Sequence, residues 1–313
     1  MLPTFRCALA ALALAPSLLA AQARSMDPVR TDPPVNAVHP AGMAEIGIPS
    51  SGVRMSGIIY LAAGAGDHPV VVFMHGYPGN EKNLDLAQAV RRAGYHAVYF
   101  DYRGAWGTGG TFSFAHGLED ADAVLAWARS PATVAKYHID PRRIAVVGHS
   151  YGGWQALMTV GRQPAGTCVA AMAAWNAGWQ GKRFAIVPAE EKEARDYFRA
   201  TTDSASGPIR GDADAMVREM EEHGAAYDYL AQAPALRDHA VLLIAATHDS
   251  PDEGVGMHAS MARALTAAGA RRVRTLTYND DHPFSAHRVA LASDLIRWLR
   301  TDCAAAQGPS TGM

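Results

Sequence analysis

Cysteine is scarce in this chain of 313 residues, which contains only Cys7, Cys168 and Cys303. Three cysteines exclude a disulfide-rich scaffold, and no Cys/His spacing of the zinc-binding kind occurs. Runs of basic residues are also missing, and the formal net charge is only −2. The composition therefore gives no reason to expect nucleic acid or an anionic membrane as a partner.

Long apolar runs are absent beyond the amino terminus. There, Arg6 precedes an apolar stretch over residues 7–20, and an Ala-Gln-Ala cleavage site ends at Ala23. The stretch is too short for a comfortable membrane span. We predict that residues 1–23 are a secretory signal peptide, with an uncleaved anchor as the alternative. The mature protein would then be secreted or periplasmic and free of the membrane.

Two cysteines remain once the predicted signal peptide, which contains Cys7, is removed. In an oxidising compartment Cys168 and Cys303 could form a disulfide. The sequence is equally consistent with two unpaired thiols.

The rest of the chain alternates between strand-like and helix-like segments. Helices are predicted over 83–93, around 118–125, and over 251–268 and 289–299. Repeated βα units predict an α/β fold in which helices cover both faces of a mostly parallel sheet. Residues 24–313 would form a single domain. The predicted strands are 55–61, 69–74, 95–100, 143–147, 169–174, 240–246 and 273–278.

One stretch, at about 177–235, breaks this alternation because it contains no clear buried strand. Its charged helical pieces, 190–199 and 212–222, flank the Ser/Gly-rich residues 203–211. A long insertion in a compact domain is usually functional or mobile. We predict a helical cap over the site. The alternative is a surface insertion without a functional role.

Residues 148–152, Gly-His-Ser-Tyr-Gly, stand between the apolar run 143–147 and the helix-like residues 153–158. Strand, G-x-S-x-G and helix in this order form a nucleophile elbow, a turn so tight that small residues must flank the serine. The pattern predicts that Ser150 is a nucleophile at a helix N-terminus, where backbone N–H groups attract negative charge. The alternative is a serine without a catalytic role in a glycine-rich turn.

Four segments together carry a family resemblance. They are His-Gly-Tyr-Pro-Gly at 75–79, Asp-Tyr-Arg-Gly at 101–104, Gly-His-Ser-Tyr-Gly-Gly at 148–153 and Asp-His-Pro-Phe at 281–284. Over roughly residues 50–300 the chain resembles the α/β-hydrolase fold. Within that fold it looks most like the prolyl-oligopeptidase-like serine hydrolases and related bacterial esterases. It departs from the peptidases of that group because only about 30 residues separate the predicted cleavage site from the first predicted strand, far too few for a propeller domain.

The chemistry requires a base for Ser150, because serine is a weak nucleophile at its free pKa. His282 follows the predicted strand 273–278 and matches the family position of the catalytic histidine. The alternative base is His287, which lies close to the predicted helix 289–299, where a solvated or packed role is expected. The other histidines are expected to support loops or the core.

An acid must orient the imidazole. Asp249 follows the predicted strand 240–246 and matches the family position of the acid. The rival, Asp252, lies in the predicted first turn of a helix, where an acidic residue has a sufficient structural reason.

The tetrahedral intermediate needs two oxyanion donors. One is expected to be the backbone N–H of Tyr151, which follows the nucleophile. The other is expected from Tyr77, because Pro78 has no backbone N–H. The resemblance also allows the Tyr77 hydroxyl to take this role, and the sequence leaves the two possibilities open.

These residues predict a secreted serine hydrolase that cleaves a carboxylic ester, or an amide, through an acyl-enzyme. The triad chemistry needs neither cofactor nor metal, and the substrate would be a small ester or a peptide-like molecule. A peptidase of the prolyl-oligopeptidase-like type is the first alternative. A non-catalytic binding protein on the same fold is the second.

Overall fold

The computed structural model describes residues 26–202, 207–251 and 253–308. The predicted signal peptide and Asp252, the rival acid, lie outside these residues. Within the described ranges, no helix combines the length and the apolar character that a membrane crossing requires.

Eight strands form one sheet in the described part of the chain, in the order β1-β2-β4-β3-β5-β6-β7-β8. The edge strand β1 pairs antiparallel with β2, and β2 pairs antiparallel with β4. All pairings from β4 to β8 are parallel. The strands are β1 Gly42–Ser50, β2 Val53–Leu61, β3 His68–Met74, β4 His96–Phe100, β5 Ile139–His149, β6 Cys168–Met172, β7 Val241–Ala246 and β8 Val273–Tyr278.

The central strands are apolar on both faces, because each face packs against its own hydrophobic core. In β3, Val70 and Val72 belong to one core, while Val71 and Phe73 belong to the other. This alternation is the period-2 geometry of a strand, and it requires helices on both faces.

The helices supply those two layers. Buried residues of α2, α4 and α8 join the core of Val70, whereas those of α1 and α9 join the core of Val71. The helices are α1 Leu84–Arg92, α2 Phe114–Arg129, α3 Pro131–Tyr137, α4 Tyr151–Val160, α5 Ala177–Phe184, α6 Pro188–Thr202, α7 Ala213–His223, α8 Val255–Ala267, α9 Arg288–Trp298 and α10 Ala304–Gln307.

This architecture confirms the predicted fold class, and individual elements differ from the prediction in detail. Strand β1 was not predicted, because its sequence contains Gly47 and Pro49, residue types that are depleted in strands, and it lies at the edge of the sheet beside β2. Helix α8 begins at Val255 rather than at 251, because a turn closed by a hydrogen bond from Gly254 N to Ser250 O precedes it.

The cap, residues 177–232, connects β6 to β7. It holds α5, α6, α7 and a 3₁₀ helix at Tyr229–Gln232. Helix α5 lies very close to α7, since a Cβ at Gly181 would stand 2.2 Å from the carbonyl oxygen of Met220.

A disulfide joins Cys168 to Cys303, with 5.7 Å between their Cα atoms. Cys168 is the first residue of β6, so the bond ties the amino end of this strand to the carboxyl-terminal helical segment. The cross-link therefore lies at the edge of the sheet opposite the strand ends described next.

Candidate active site

Ser150 stands in a strained turn between the last residue of β5 and the first residue of α4. Its backbone angles are φ 57° and ψ −122°, a region that L-residues rarely adopt. The flanking glycines are required, because a Cβ at Gly148 would lie 2.0 Å from the carbonyl oxygen of Gly152. A Cβ at Gly152 would lie 2.0 Å from that of Met74. The elbow predicted from the sequence is therefore built by close backbone packing.

The loop after β3 lies directly against this serine. A Cβ at Gly76 would stand 3.1 Å from the Ser150 Cβ. Glycine at position 76 thus lets the next residue, Tyr77, approach the cleft that Ser150 lines.

Asp249 and His282 form a hydrogen-bonded pair at the ends of β7 and β8. Nδ1 of His282 donates to both Asp249 oxygens, at 2.9 Å and 3.0 Å. The Asp249 side chain is 4% exposed, whereas that of His282 is 32% exposed and reaches the cleft. An imidazole that donates through Nδ1 keeps Nε2 as its acceptor, the state that a general base needs.

Glu253 is a residue that the sequence interpretation missed at this site. The Ser150 hydroxyl donates to Glu253 Oε1 at 3.3 Å, and Glu253 Oε2 lies 3.7 Å from His282 Nδ1. Among the described residues, Ser150 has no hydrogen bond to the His282 ring. A helix that began at 251, as predicted, would hold Glu253 in its first turn. Because α8 begins at Val255, Glu253 instead lies in the turn before the helix, where it contacts Ser150.

His149 holds the backbone of His282 in place. Its Nε2–H donates to the His282 carbonyl oxygen at 3.0 Å, and the two ring centroids are 4.6 Å apart. Burial, reinforced by the neighbouring imidazole of His282, lowers the pKa of His149 to about 3. His149 is therefore neutral at physiological pH and supports the loop, as the sequence suggested.

The rival base, His287, is bound elsewhere. Its Nδ1 lies 2.8 Å from Asp280 Oδ2, and the same carboxylate accepts the backbone N–H groups of Asp281 and Ala286. Burial opposes ionisation of Asp280, but the hydrogen bond from His287 and these N–H groups lower its pKa. This carboxylate organises the loop that carries His282, while His287 is outside the residues lining the cleft.

Tyr151 can serve the cleft only through its backbone. Its side chain is 1% exposed and packs among aromatic rings, including those of Trp154 and Trp175. As the first residue of α4, it presents one of the N–H groups that a helix cannot satisfy internally. That N–H lies at the positive end of the helix dipole, next to Ser150.

Tyr77 offers both candidate donors of the second oxyanion position. Its hydroxyl lies 2.5 Å from Thr201 Oγ1, and its carbonyl oxygen accepts the Tyr197 hydroxyl at 3.2 Å. Burial raises the pKa of the Tyr77 hydroxyl, which therefore remains protonated. Its backbone N–H has no acceptor among the described residues.

The cleft in front of Ser150 has a volume of about 800 Å³. The cap supplies one wall, with aromatic rings at Trp179, Tyr197 and Phe198. Arg183 stacks 4.7 Å above the Trp179 ring and forms an ion pair with Glu190. The wall thus combines aromatic rings with charged groups.

Asp249, Glu253 and His282 also have donor atoms within 4.8 Å of one another, a spacing that could hold a metal ion. Nδ1 of His282 already binds Asp249, so a metal there would displace the hydrogen bond that orients the imidazole. The arrangement suits acid–base chemistry without a metal.

Solved structures of known enzymes share this fold. Est1E from Butyrivibrio proteoclasticus, with ferulic acid bound, superposes with a TM-score of 0.61 at 13% identity, over 83% of this chain and 99% of that one. The acylaminoacyl peptidase of Pyrococcus horikoshii gives 0.60 at 14% identity, over 87% of this chain and 43% of that one. At these identities the likeness concerns the fold alone.

Sequence relatives extend the comparison. An uncharacterised protein of Mycobacterium tuberculosis is 32% identical over 135 residues, covering 42% of this chain and 46% of that protein. The chain thus spans less than half the length of this curated relative. A profile of the X-Pro dipeptidyl-peptidase (S15) family matches residues 51–279.

The sheet order, the strained elbow and these likenesses define a hydrolase of the α/β-hydrolase fold. Because the family profile covers most of the 313 residues, the chain belongs to the X-Pro dipeptidyl-peptidase (S15) family. The described residues form the sheet, its helices and the cap, and they contain no propeller.

Proposed function

We propose that this protein is a secreted serine hydrolase that cleaves carboxylic esters through an acyl-enzyme on Ser150. The observation that carries the proposal is the Asp249–His282 pair, whose imidazole lines the same cleft as the strained serine. A buried carboxylate, an oriented imidazole and a hydroxyl at a helix N-terminus are the parts that acyl transfer requires.

In the first half-reaction, the Ser150 hydroxyl turns from Glu253 towards Nε2 of His282, which takes its proton as Oγ attacks the ester carbonyl carbon. The N–H of Tyr151 and a donor of Tyr77 stabilise the oxyanion. The bond to the alcohol then breaks, and His282 returns the proton to the leaving oxygen. Asp249 stabilises the imidazolium throughout.

In the second half-reaction, water takes the place of the alcohol. It loses a proton to His282 and attacks the acyl carbon, and the acid leaves as Ser150 recovers its proton. Each half-reaction therefore uses the same base and the same oxyanion donors.

The described domain favours a small ester over a peptide. The cap supplies one wall of the cleft, and the aromatic rings of this wall suit an acyl chain or ring. Est1E, which binds ferulic acid, has the same fold. A peptidase is the second candidate, favoured by the family profile.

Secretion is supported by the buried disulfide as well as by the predicted signal peptide. Disulfides persist in oxidising compartments and are rare in the cytosol. Both Cys168 and Cys303 are about 1% exposed or less, as suits a structural cross-link.

A substrate panel tests the proposal. We would compare kcat/KM for p-nitrophenyl esters of increasing acyl length with that for X-Pro and acyl-amino-acid p-nitroanilides, using Ser150→Ala as the control. We expect Ser150-dependent turnover with the esters preferred at least 100-fold. Preference for an anilide would identify a peptidase, and no Ser150-dependent turnover of either class would favour the binding protein.

A further inference from the structure

Helix α6 of the cap contacts Tyr77 at both its side-chain hydroxyl and its backbone carbonyl. The Tyr77 hydroxyl meets Thr201 Oγ1 at 2.5 Å, and the Tyr197 hydroxyl donates to the Tyr77 carbonyl oxygen at 3.2 Å. Between these contacts, the Phe198 ring packs edge-on against the Tyr77 ring, with centroids 5.4 Å apart. Three residues within one and a half turns of α6 therefore hold a single residue of the loop after β3.

The contact with Thr201 controls the direction of the Tyr77 O–H. Thr201 Oγ1 also lies 2.9 Å from the Phe198 carbonyl oxygen in its own helix. A hydroxyl has one hydrogen. When Thr201 donates to Phe198, Tyr77 must donate to Thr201. When Thr201 donates to Tyr77, the Tyr77 hydrogen is released towards the cleft.

The contact with Tyr197 acts on the backbone. A hydrogen bond to the Tyr77 carbonyl limits rotation of the peptide that follows, and so restrains the orientation of the whole residue beside Gly76 and Ser150. Both candidate oxyanion donors of Tyr77, hydroxyl and N–H, are thus positioned by the cap.

We propose that Tyr197 and Thr201 are positioning residues through which the cap completes the oxyanion hole. The inference rests on the proposed function, since it assigns Tyr77 to the oxyanion. Tyr197 and Phe198 also line the cleft. A substrate seated against α6 therefore touches the same helix that orients Tyr77, which couples substrate fit to the rate of acyl transfer.

The test uses Thr201→Val, Thr201→Ser and Tyr197→Phe in the full chain. A matched control is Thr266→Val, because the exposed Thr266 hydroxyl bonds, among the described residues, only to the Ala262 carbonyl oxygen of its own helix. We would measure kcat and KM for p-nitrophenyl butyrate, the inhibition constant of an alkylboronic acid, which forms a tetrahedral adduct with the serine, and that of butyrate. Thermal unfolding would establish that each variant is folded.

We expect Thr201→Val and Tyr197→Phe to lower kcat about tenfold, below the 10²–10³-fold loss on removing an oxyanion donor outright. Boronate affinity should fall by the same factor, while KM and butyrate inhibition stay within about twofold of wild type, as uniform binding is untouched. Thr201→Ser and Thr266→Val should behave as wild type.

Unchanged boronate affinity in the folded variants would overturn the inference, whether or not kcat falls. Should Thr201→Val fail to fold, Tyr197→Phe decides alone, because that side chain is 48% exposed. Failure of the proposed function gives a different result, namely wild-type turnover that survives Ser150→Ala.

Discussion

The cleft has a floor and a wall that are built by different means. The floor consists of strand ends, where backbone packing and nearly buried groups hold Ser150, Asp249 and His149. The wall is the cap, and the ion pairs of its helix α6 are partly exposed, such as Arg199 with Asp214. Exposed ion pairs contribute little to stability. The floor is therefore the more firmly held part, and the wall contributes to the chemistry through the contacts of α6 with Tyr77.

The largest expected effect on activity comes from replacing Asp249, the buried acid of the floor. Asp249→Asn should lower kcat about 10⁴-fold with folding intact, because the amide favours the wrong imidazole tautomer. Steady-state kinetics with an ester, together with a thermal melt, measure this. If Asp252→Asn or Glu253→Gln causes the larger loss, the assignment of the acid is wrong.

Removal of the disulfide should affect the stability of the protein but not its activity. Replacing both Cys168 and Cys303 by serine should lower the free energy of unfolding by about 2–5 kcal/mol. The cross-link lies at the opposite end of β6 from the cleft, so kcat/KM at 25 °C should stay within about twofold of wild type. Urea unfolding and ester kinetics on the same samples check both halves, and a large loss of kcat in folded protein would contradict the separation.

Buried histidines near the floor should make the folded protein less stable at acidic pH. Burial lowers the pKa of His75 and His258 from 6.5 to about 4, and that of His149 to about 3. The unfolded chain binds more protons below pH 6.5, so stability is full above that pH and falls as the pH drops from 6.5 towards 4. At pH 5 each histidine with a pKa of about 4 should lower the free energy of unfolding by about 2 kcal/mol relative to pH 7.

Urea unfolding at pH 7 and pH 5 measures this loss. A variant such as His258→Asn, which cannot titrate in this range, should show a smaller difference between the two pH values. An equal difference in the variant and in wild type would contradict the role of His258.

The smallest expected effect comes from Glu253, where floor and wall meet. Glu253→Gln should change kcat by less than about tenfold, because its carboxylate lies 3.7 Å from His282 Nδ1, beyond hydrogen-bond distance. Kinetics with a neutral ester measure this. A loss comparable with that of Asp249→Asn would make Glu253 part of the essential machinery.

The floor was largely predictable from the sequence, and the wall was not. Continuous apolar runs identify the buried strands, and the carboxyl ends of parallel strands meet at one edge, so Ser150, Asp249 and His282 could be grouped in advance. Contacts between distant residues leave no local pattern. The bond from Tyr77 to Thr201 spans 124 residues, and α5 could not be recognised because its Gly178 and Gly181 act through close approach to other segments.

The proposed chemistry requires Ser150 to be an activated nucleophile. The most direct test is to react the folded protein with a fluorophosphonate, measure the mass of the intact chain and map the modified peptide. We expect one adduct per chain, on Ser150, and none in Ser150→Ala. An adduct that persists in Ser150→Ala, or folded wild-type protein that forms none, would contradict it.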